Sequence, residues 1–130
     1  MLSIRGINQY YGESHALRDL DLEVAAGQCT VLMGRNGVGK TTLLQCVMGL
    51  LPVRTGTLEL AGVDLRKIPA ERRANLGIGY VPQGRQVFPM LTVEENLRIG
   101  LPARRDRLRQ VPGFIYELFP VLKEMLGRRG

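Results

Sequence analysis

The sequence predicts an α/β fold, and three observations predict it. Apolar residues alternate in two segments near the amino terminus. A continuous apolar run, CTVLM at 29–33, leads directly into the glycine-rich stretch GRNGVGKTT at 34–42. Residues 42–49 then carry apolar side chains at helical spacing. A buried strand, a glycine loop and a helix in this order are typical of an α/β core.

The composition is that of an ordinary globular protein of one domain. Of the 130 residues, 45% are hydrophobic and 23% charged. The longest apolar stretch, 46–53, contains a glycine and a proline and is far shorter than the roughly 20 residues that span a bilayer. The amino terminus lacks the pattern of a secretory signal. Cys29 and Cys46 lie in apolar contexts without metal-ligand spacing, which predicts reduced core residues.

The net charge of +6 is concentrated towards the carboxyl terminus. Residues 98–130 carry eight Lys or Arg against three Asp or Glu. Much of the excess is the run PARRDRLRQ at 102–110, which could bind nucleic acid or acidic lipid. Because no aromatic residues are interleaved with the arginines, a solvated surface is the preferred interpretation.

The segments before the glycine loop predict three strands. Leu2, Ile4 and Ile7, and then Leu20, Leu22 and Val24, indicate two half-buried strands that pair antiparallel. The run at 29–33 has no polar alternation, which predicts a strand buried on both faces.

The segments after the loop predict short elements. The helix at 42–49 ends at Gly49 and Pro52. The pattern of residues 55–65 predicts a hairpin with Gly62 in its turn. A short basic helix is predicted from Pro69 onwards. Residues 77–82, GIGYVP, predict another buried strand.

Two helical segments follow towards the carboxyl terminus. Thr92 and Glu95 have the spacing of a capping box for a helix that reaches about Ile99. In the last segment, Pro120 should divide a helix. One face of that helix is apolar and comprises Ile115, Leu118, Phe119, Leu122 and Leu126. This pattern indicates that the face packs in the core, which is the preferred interpretation, or that it docks on a partner.

The stretch GRNGVGKTT satisfies the pattern GxxxxGK[ST], which is typical of a phosphate-binding loop. Glycine allows backbone N–H groups to converge on a phosphate, because it tolerates positive φ and close approach. The amino terminus of the following helix adds partial positive charge at the same point. Lys40 would reach the β- and γ-phosphates, and the Thr41 hydroxyl would bind Mg²⁺. The predicted nucleotide-binding residues here are Gly34, Arg35, Asn36, Gly37, Val38, Gly39, Lys40, Thr41 and Thr42. A glycine turn with only a structural role is the alternative.

Three segments, one of which contains the loop, give the chain a family resemblance. NQYYGESHALRDLDLEVAAGQ at 8–28, the stretch 33–62 around the loop, and IGYVPQ at 78–83 followed by VFPMLTVEENL resemble the ATP-binding subunits of ABC transporters. The resemblance implies a P-loop NTPase core with an N-terminal antiparallel β subdomain in 1–84 and the start of a helical subdomain in 85–130. It also implies that Tyr11 stacks on adenine, with Tyr10 as the competitor, and that Gln83 senses Mg²⁺ and the γ-phosphate.

Within that family, the sequences of these segments are most similar to those of the ATP-binding subunits of urea importers. Branched-chain amino-acid importers are close, although they more often carry an acidic residue at the position of Gln83. The resemblance implies ATP hydrolysis coupled to solute uptake by a dimer with a second, identical or different, ATP-binding subunit. The partners would be permease subunits and, indirectly, a solute-binding protein, at the cytoplasmic face of the plasma membrane. Nucleic acid is not expected as a partner.

The family's later motifs are absent from these 130 residues. They are a glycine-rich signature, a strand ending in Asp-Glu and a switch histidine; His15 precedes the loop. We therefore expect the chain to be the N-terminal half of a longer subunit, with no catalytic residue of its own and the general base beyond Gly130. The alternatives are a nucleotide-binding module without hydrolysis and, on the arginine run alone, a nucleic-acid-associated ABC ATPase.

Overall fold

The computed structural model describes residues 1–84, 86–104, 106 and 108–130. The chain folds into two compact units, residues 1–78 and residues 79–130. Each unit has its own arrangement of secondary structure.

The first unit contains a four-stranded antiparallel sheet with the strand order β2-β1-β3-β4. Its strands are β1 (Leu2–Tyr11), β2 (Ser14–Val24), β3 (Thr55–Leu60) and β4 (Val63–Asp64). Leu2 lies opposite Val24 on one side and Leu60 on the other. The predicted antiparallel pair and the predicted hairpin are both confirmed.

Two helices and two single turns complete the first unit. They are α1 (Lys40–Met48), a 3-10 turn (Leu65–Lys67), α2 (Ala70–Arg73) and a second 3-10 turn (Ala74–Leu76). Helix α1 ends at Gly49 in the left-handed conformation, as predicted. Apolar side chains from the sheet, α1 and the first turn form the core; they are Ile4, Ile7, Leu17, Leu43, Cys46, Leu58 and Leu65.

The two predicted buried strands are not formed. Residues 29–33 and 77–82 are not assigned to strands, and Met33 and Val81 are 86% and 94% exposed. A strand of this kind is stable only with strands beside it and layers over both faces. In the part of the chain that the structure describes, neither segment has a neighbouring strand. For the same reason the prediction for Cys29 was wrong, since it is exposed, whereas Cys46 is buried as predicted.

The second unit is helical. Its elements are α3 (Val93–Ile99), a 3-10 turn (Leu101–Ala103), α4 (Gly113–Leu118) and α5 (Pro120–Glu124). The capping box is confirmed: the Glu95 N–H donates to Thr92 Oγ1 at 3.2 Å, and the Thr92 N–H donates to Glu95 Oε2 at 2.7 Å. The break before Pro120 is also confirmed, because α5 begins at that residue.

The apolar face of the last segment is not a core face throughout. Leu118 and Phe119 are 66% and 57% exposed, while the other three members are half-buried. The break at Pro120 separates α4 from α5, so the five side chains do not share one continuous helix face. No helix in the described ranges is long and apolar enough to cross a membrane.

The arginine run is described only in part, since Arg105 and Arg107 lie outside the described residues. Arg104 is paired with Asp106, and its Nε donates to Asp106 Oδ1 at 2.9 Å. This pairing supports the interpretation of the run as a solvated surface, because part of its charge is neutralised locally.

Candidate nucleotide-binding site

The glycine loop connects residues 29–33 to helix α1, and its conformation depends on glycine. Gly37 and Gly39 have φ angles of 83° and 97°, in the left-handed region. Gly39 also approaches strand β2 closely: a Cβ at this position would lie 2.8 Å from Leu17 Cδ2 and 2.9 Å from the Ala16 carbonyl oxygen. The second glycine of the motif therefore places the start of α1 against the sheet.

The Lys40 side chain folds back over the loop. Its Nζ donates to the carbonyl oxygens of Gly34 and Arg35, each at 2.7 Å. Lys40 is the first residue of α1, and its ammonium group therefore lies against the first two residues of the loop. Such a group can form charge-assisted hydrogen bonds to a phosphate there.

The amino terminus of α1 can bind an anion. The first N–H groups of a helix have no partner within the helix, and here no side chain caps them and no acidic residue lies in the first turn. The helix dipole adds partial positive charge at the same place. Of the two threonines, Thr41 is exposed and available to a ligand, whereas Thr42 is 8% exposed and faces the protein.

The two candidate tyrosines have different surroundings. Tyr11 is 49% exposed, and its hydroxyl lies 3.4 Å from both Thr42 Oγ1 and Gln45 Oε1 on α1. The Tyr10 ring instead stacks on His15, with ring centroids 4.1 Å apart. Tyr11 thus lies beside the loop helix with much of its surface open, while one face of Tyr10 is already covered.

Gln83 lies in the second unit and is exposed. Its backbone carbonyl accepts a hydrogen bond from Gln86 Nε2 at 3.5 Å. Its role at the Mg²⁺ and the γ-phosphate stays a prediction.

Three carboxylates, those of Asp64, Glu94 and Glu95, have structural partners. Asp64 accepts hydrogen bonds from the Arg66 N–H at 3.0 Å and from Arg66 Nη2 at 2.9 Å, and these bonds lower its pKa to about 2. Hydrogen bonds from the Thr92 N–H and hydroxyl lower the pKa of Glu95. Glu94 pairs with Arg98 at 3.6 Å. Asp64 and Glu95 are therefore poor proton acceptors near neutral pH.

Within the described ranges, no group of three or more His, Cys, Asp and Glu side chains could hold a metal ion by itself. Mg²⁺ usually combines few protein ligands with water and substrate phosphates. An exposed Thr41 hydroxyl next to a phosphate loop fits that mode of binding.

One residue at the far end of α1 was not singled out from the sequence. Arg73 is only 5% exposed, and it donates hydrogen bonds to backbone carbonyls at the carboxyl end of α1. The sequence showed only that it belongs to a short basic helix. Its position between Ala70 and Leu76 at helical spacing is the signal that could have placed it on the buried face.

Comparison with known proteins places this geometry in a family. The family model described as ABC transporter matches residues 17–125. The chain belongs to this family, as an ATP-binding domain. Its fold is that of an ABC ATPase: a solved ATP-binding subunit of an ABC transporter superimposes with a TM-score of 0.78 at 26% identity, over 99% of this chain and 54% of that one.

Two curated relatives are branched-chain amino-acid transport ATP-binding proteins. BraG of Pseudomonas aeruginosa is 38% identical over 99% of this chain and 56% of its own length. LivF of Archaeoglobus fulgidus, a probable protein of this kind, is 35% identical over 99% of the chain and 55% of its own length. The chain thus spans about half the length of these relatives.

Proposed function

We propose that this chain is the nucleotide-binding part of an ABC importer ATPase and that it binds Mg-ATP at residues 34–42. The observation that carries the proposal is the position of Lys40 Nζ, held 2.7 Å from two loop carbonyls at the uncapped amino terminus of α1. The loop and the start of α1 thus combine a cation, N–H groups that no side chain caps and the positive end of a helix dipole, and a polyphosphate is the ligand that matches them.

Each proposed contact has a distinct role. Backbone N–H groups of the loop would surround the β-phosphate, and the Lys40 ammonium would bind phosphate oxygens in place of the two loop carbonyls. The Thr41 hydroxyl and the Gln83 carboxamide would hold Mg²⁺, which would neutralise charge on the β- and γ-phosphates. Tyr11 would stack on the adenine. Thr42, which is buried, would contribute its backbone N–H and support Tyr11.

We propose that these 130 residues bind ATP without appreciable hydrolysis. Hydrolysis requires a group that positions the attacking water. Asp64 and Glu95 are committed to hydrogen bonds that lower their pKa values. Hydrolysis by the whole subunit would then need the Asp-Glu strand and the signature motif of the family, in a dimer with a second ATP-binding subunit. In this proposal, residues 1–84 would bind the nucleotide and residues 85–130 would form the start of the helical subdomain.

The transported solute is proposed from the relatives and from one residue. Names such as BraG and LivF support a branched-chain amino-acid importer. Gln83, at a position where those importers more often carry an acidic residue, favours urea as the second candidate. In either case the subunit would attach to permease subunits at the cytoplasmic face of the membrane, and a solute-binding protein would deliver the solute.

Calorimetric titration with Mg-ATP tests the site. We expect Lys40→Ala to weaken binding about 10- to 100-fold, because a charge-assisted hydrogen bond contributes ~1.5–3 kcal/mol. The matched control is Lys67→Ala, since Lys67 lies in the same unit but its Nζ is 3.9 Å from Asp64 Oδ2 on the surface. Equal affinities for Lys40→Ala and Lys67→Ala would refute the phosphate site.

Uptake measurements test the solute. Cells lacking the gene should lose uptake of labelled leucine or of labelled urea, and the intact gene should restore it. Unchanged uptake of both solutes would remove both candidates, even if ATP binding is confirmed.

A further inference from the structure

Arg73 is a buried cation that bonds to main-chain carbonyls instead of a carboxylate. Its side chain makes four hydrogen bonds: Nη1 donates to Cys46 O at 2.8 Å and Val47 O at 2.6 Å, Nη2 to Leu65 O at 2.6 Å, and Nε to Ile68 O at 2.9 Å. Among the described residues, no Asp or Glu forms a salt bridge with it. A buried charge is stable only when it is compensated, so these carbonyls must supply the compensation.

Two of the four acceptors belong to the last turn of α1. The backbone itself closes that turn through a Schellman arrangement, in which the Gly49 N–H donates to Cys46 O at 3.1 Å and the Leu50 N–H to Gln45 O at 2.9 Å. Arg73 adds the bond to Val47 O, which the arrangement leaves without an N–H donor. The negative end of the helix dipole lies at the same place and stabilises the guanidinium further.

The other two acceptors belong to a different segment. Leu65 O and Ile68 O lie in and directly after the turn that follows β4, so Arg73 joins the carboxyl end of α1 to the segment that leaves the sheet. Gly49 leaves room for this connection, because a Cβ there would lie 2.7 Å from Arg73 Cζ. Gly39 rests against β2 at the other end of α1. The helix is thus held at both ends, by close packing at the phosphate loop and by Arg73 at the far end.

We infer that Arg73 is a positioning residue for the nucleotide: by fixing the far end of α1 it aligns the loop, Lys40 and Thr41 with the phosphates. The inference rests on the proposed function. Helix α1 has nine residues, a length of about 13 Å, so a tilt of about 5° moves one end relative to the other by about 1 Å. A misplacement of that size is large enough to weaken hydrogen bonds to a phosphate. Lysine cannot substitute fully, because its single ammonium lacks the planar fork that reaches both segments.

The test is a double-mutant cycle in the full chain, read by calorimetric Mg-ATP affinity. Arg73→Met should weaken ATP binding about 5- to 30-fold while the far-ultraviolet circular dichroism stays that of the unaltered chain. The ATP affinity of Arg73→Lys should lie between that of the unaltered chain and that of Arg73→Met. Arg72→Met is the matched control, because Arg72 is the neighbouring arginine on α2 and is exposed; it should stay within about twofold.

The cycle separates positioning from general stability. If Arg73 acts through the loop, Arg73→Met should cost less in the Lys40→Ala background than in the unaltered chain, because the contact that it aligns is already gone. Equal losses in both backgrounds, or unchanged affinity in folded Arg73→Met, would overturn the inference. Absence of ATP binding by the unaltered chain would instead refute the proposed function, and the inference with it.

A measurement without substitution covers the case in which the Arg73 variants do not fold. Coupling is reciprocal, so saturation with Mg-ATP at one end of α1 should slow amide hydrogen exchange at Gly49 and Leu50 at the other end. We expect slowing of about fivefold or more, on the same coupling estimate. Unchanged exchange at both amides, under conditions where ATP binding is demonstrated, would overturn the inference.

Discussion

Replacement of Gly39 by alanine tests how the loop is attached to the sheet. At this position φ is 97°, and an added Cβ would lie 2.8 Å from Leu17 Cδ2 and 2.9 Å from the Ala16 carbonyl oxygen. The leucine side chain is 2% exposed and packed in the core, and the carbonyl belongs to strand β2, so neither can move aside freely. Gly39→Ala should therefore push the start of α1 away from the sheet.

The size of the effect follows from two separate costs. An alanine in the left-handed region costs about 1–2 kcal/mol. Overpacking against a filled core costs about 1–3 kcal/mol more. The expected loss in the free energy of unfolding is therefore about 2–5 kcal/mol, a large part of the roughly 5–15 kcal/mol that is typical of a whole domain.

Gly37→Ala is the matched control. Gly37 also has a left-handed φ, of 83°, but an added Cβ would have nothing within 4 Å. This variant bears only the conformational cost, about 1–2 kcal/mol. The difference between the two variants therefore isolates the close approach of the loop to β2.

Urea unfolding followed by circular dichroism measures both variants. We expect a lower midpoint for Gly39→Ala than for Gly37→Ala, with similar slopes, since both chains expose similar surface on unfolding. Equal midpoints would show that the loop does not rest on β2, and the account of how α1 is positioned would then be wrong.

Two further predictions concern the tyrosines and Asp64. Tyr11→Ala should weaken the binding of ATP and of GTP alike, by about 1–3 kcal/mol, because stacking does not distinguish the bases. The same calorimetry measures both nucleotides. Loss of binding in Tyr10→Ala, with no change in Tyr11→Ala, would show that the Tyr10 ring binds the base. The pKa of Asp64 is lowered to about 2, whereas the pKa of an ordinary Asp carboxyl is near 4. Its bonds to Arg66 therefore stabilise the fold fully above about pH 4, and this contribution is lost as the pH falls towards about 2. Thermal melts of the unaltered chain and of Asp64→Asn should therefore differ most above pH 4 and converge towards pH 2, and a gap that does not change with pH would contradict this account.

The features that the sequence by itself determined are those with a local cause. Alternating apolar residues in β1 and β2, the turn at Gly62 and the spacing of Thr92 and Glu95 each act over a few residues, and the structure contains all of them. The loop motif is local in the same sense, because its glycines are needed for backbone angles at their own positions.

Tertiary structure decided the features that depend on a distant neighbour. The runs at 29–33 and 77–82 are apolar enough for buried strands, yet a strand also needs hydrogen-bonding partners beside it, and the described residues provide none. Arg73 has the composition of a surface residue but is buried, because four carbonyls that are 5 to 27 residues away in sequence converge on it. Periodicity records which side chains can share a face, whereas the free energy of burial depends on which groups meet them there.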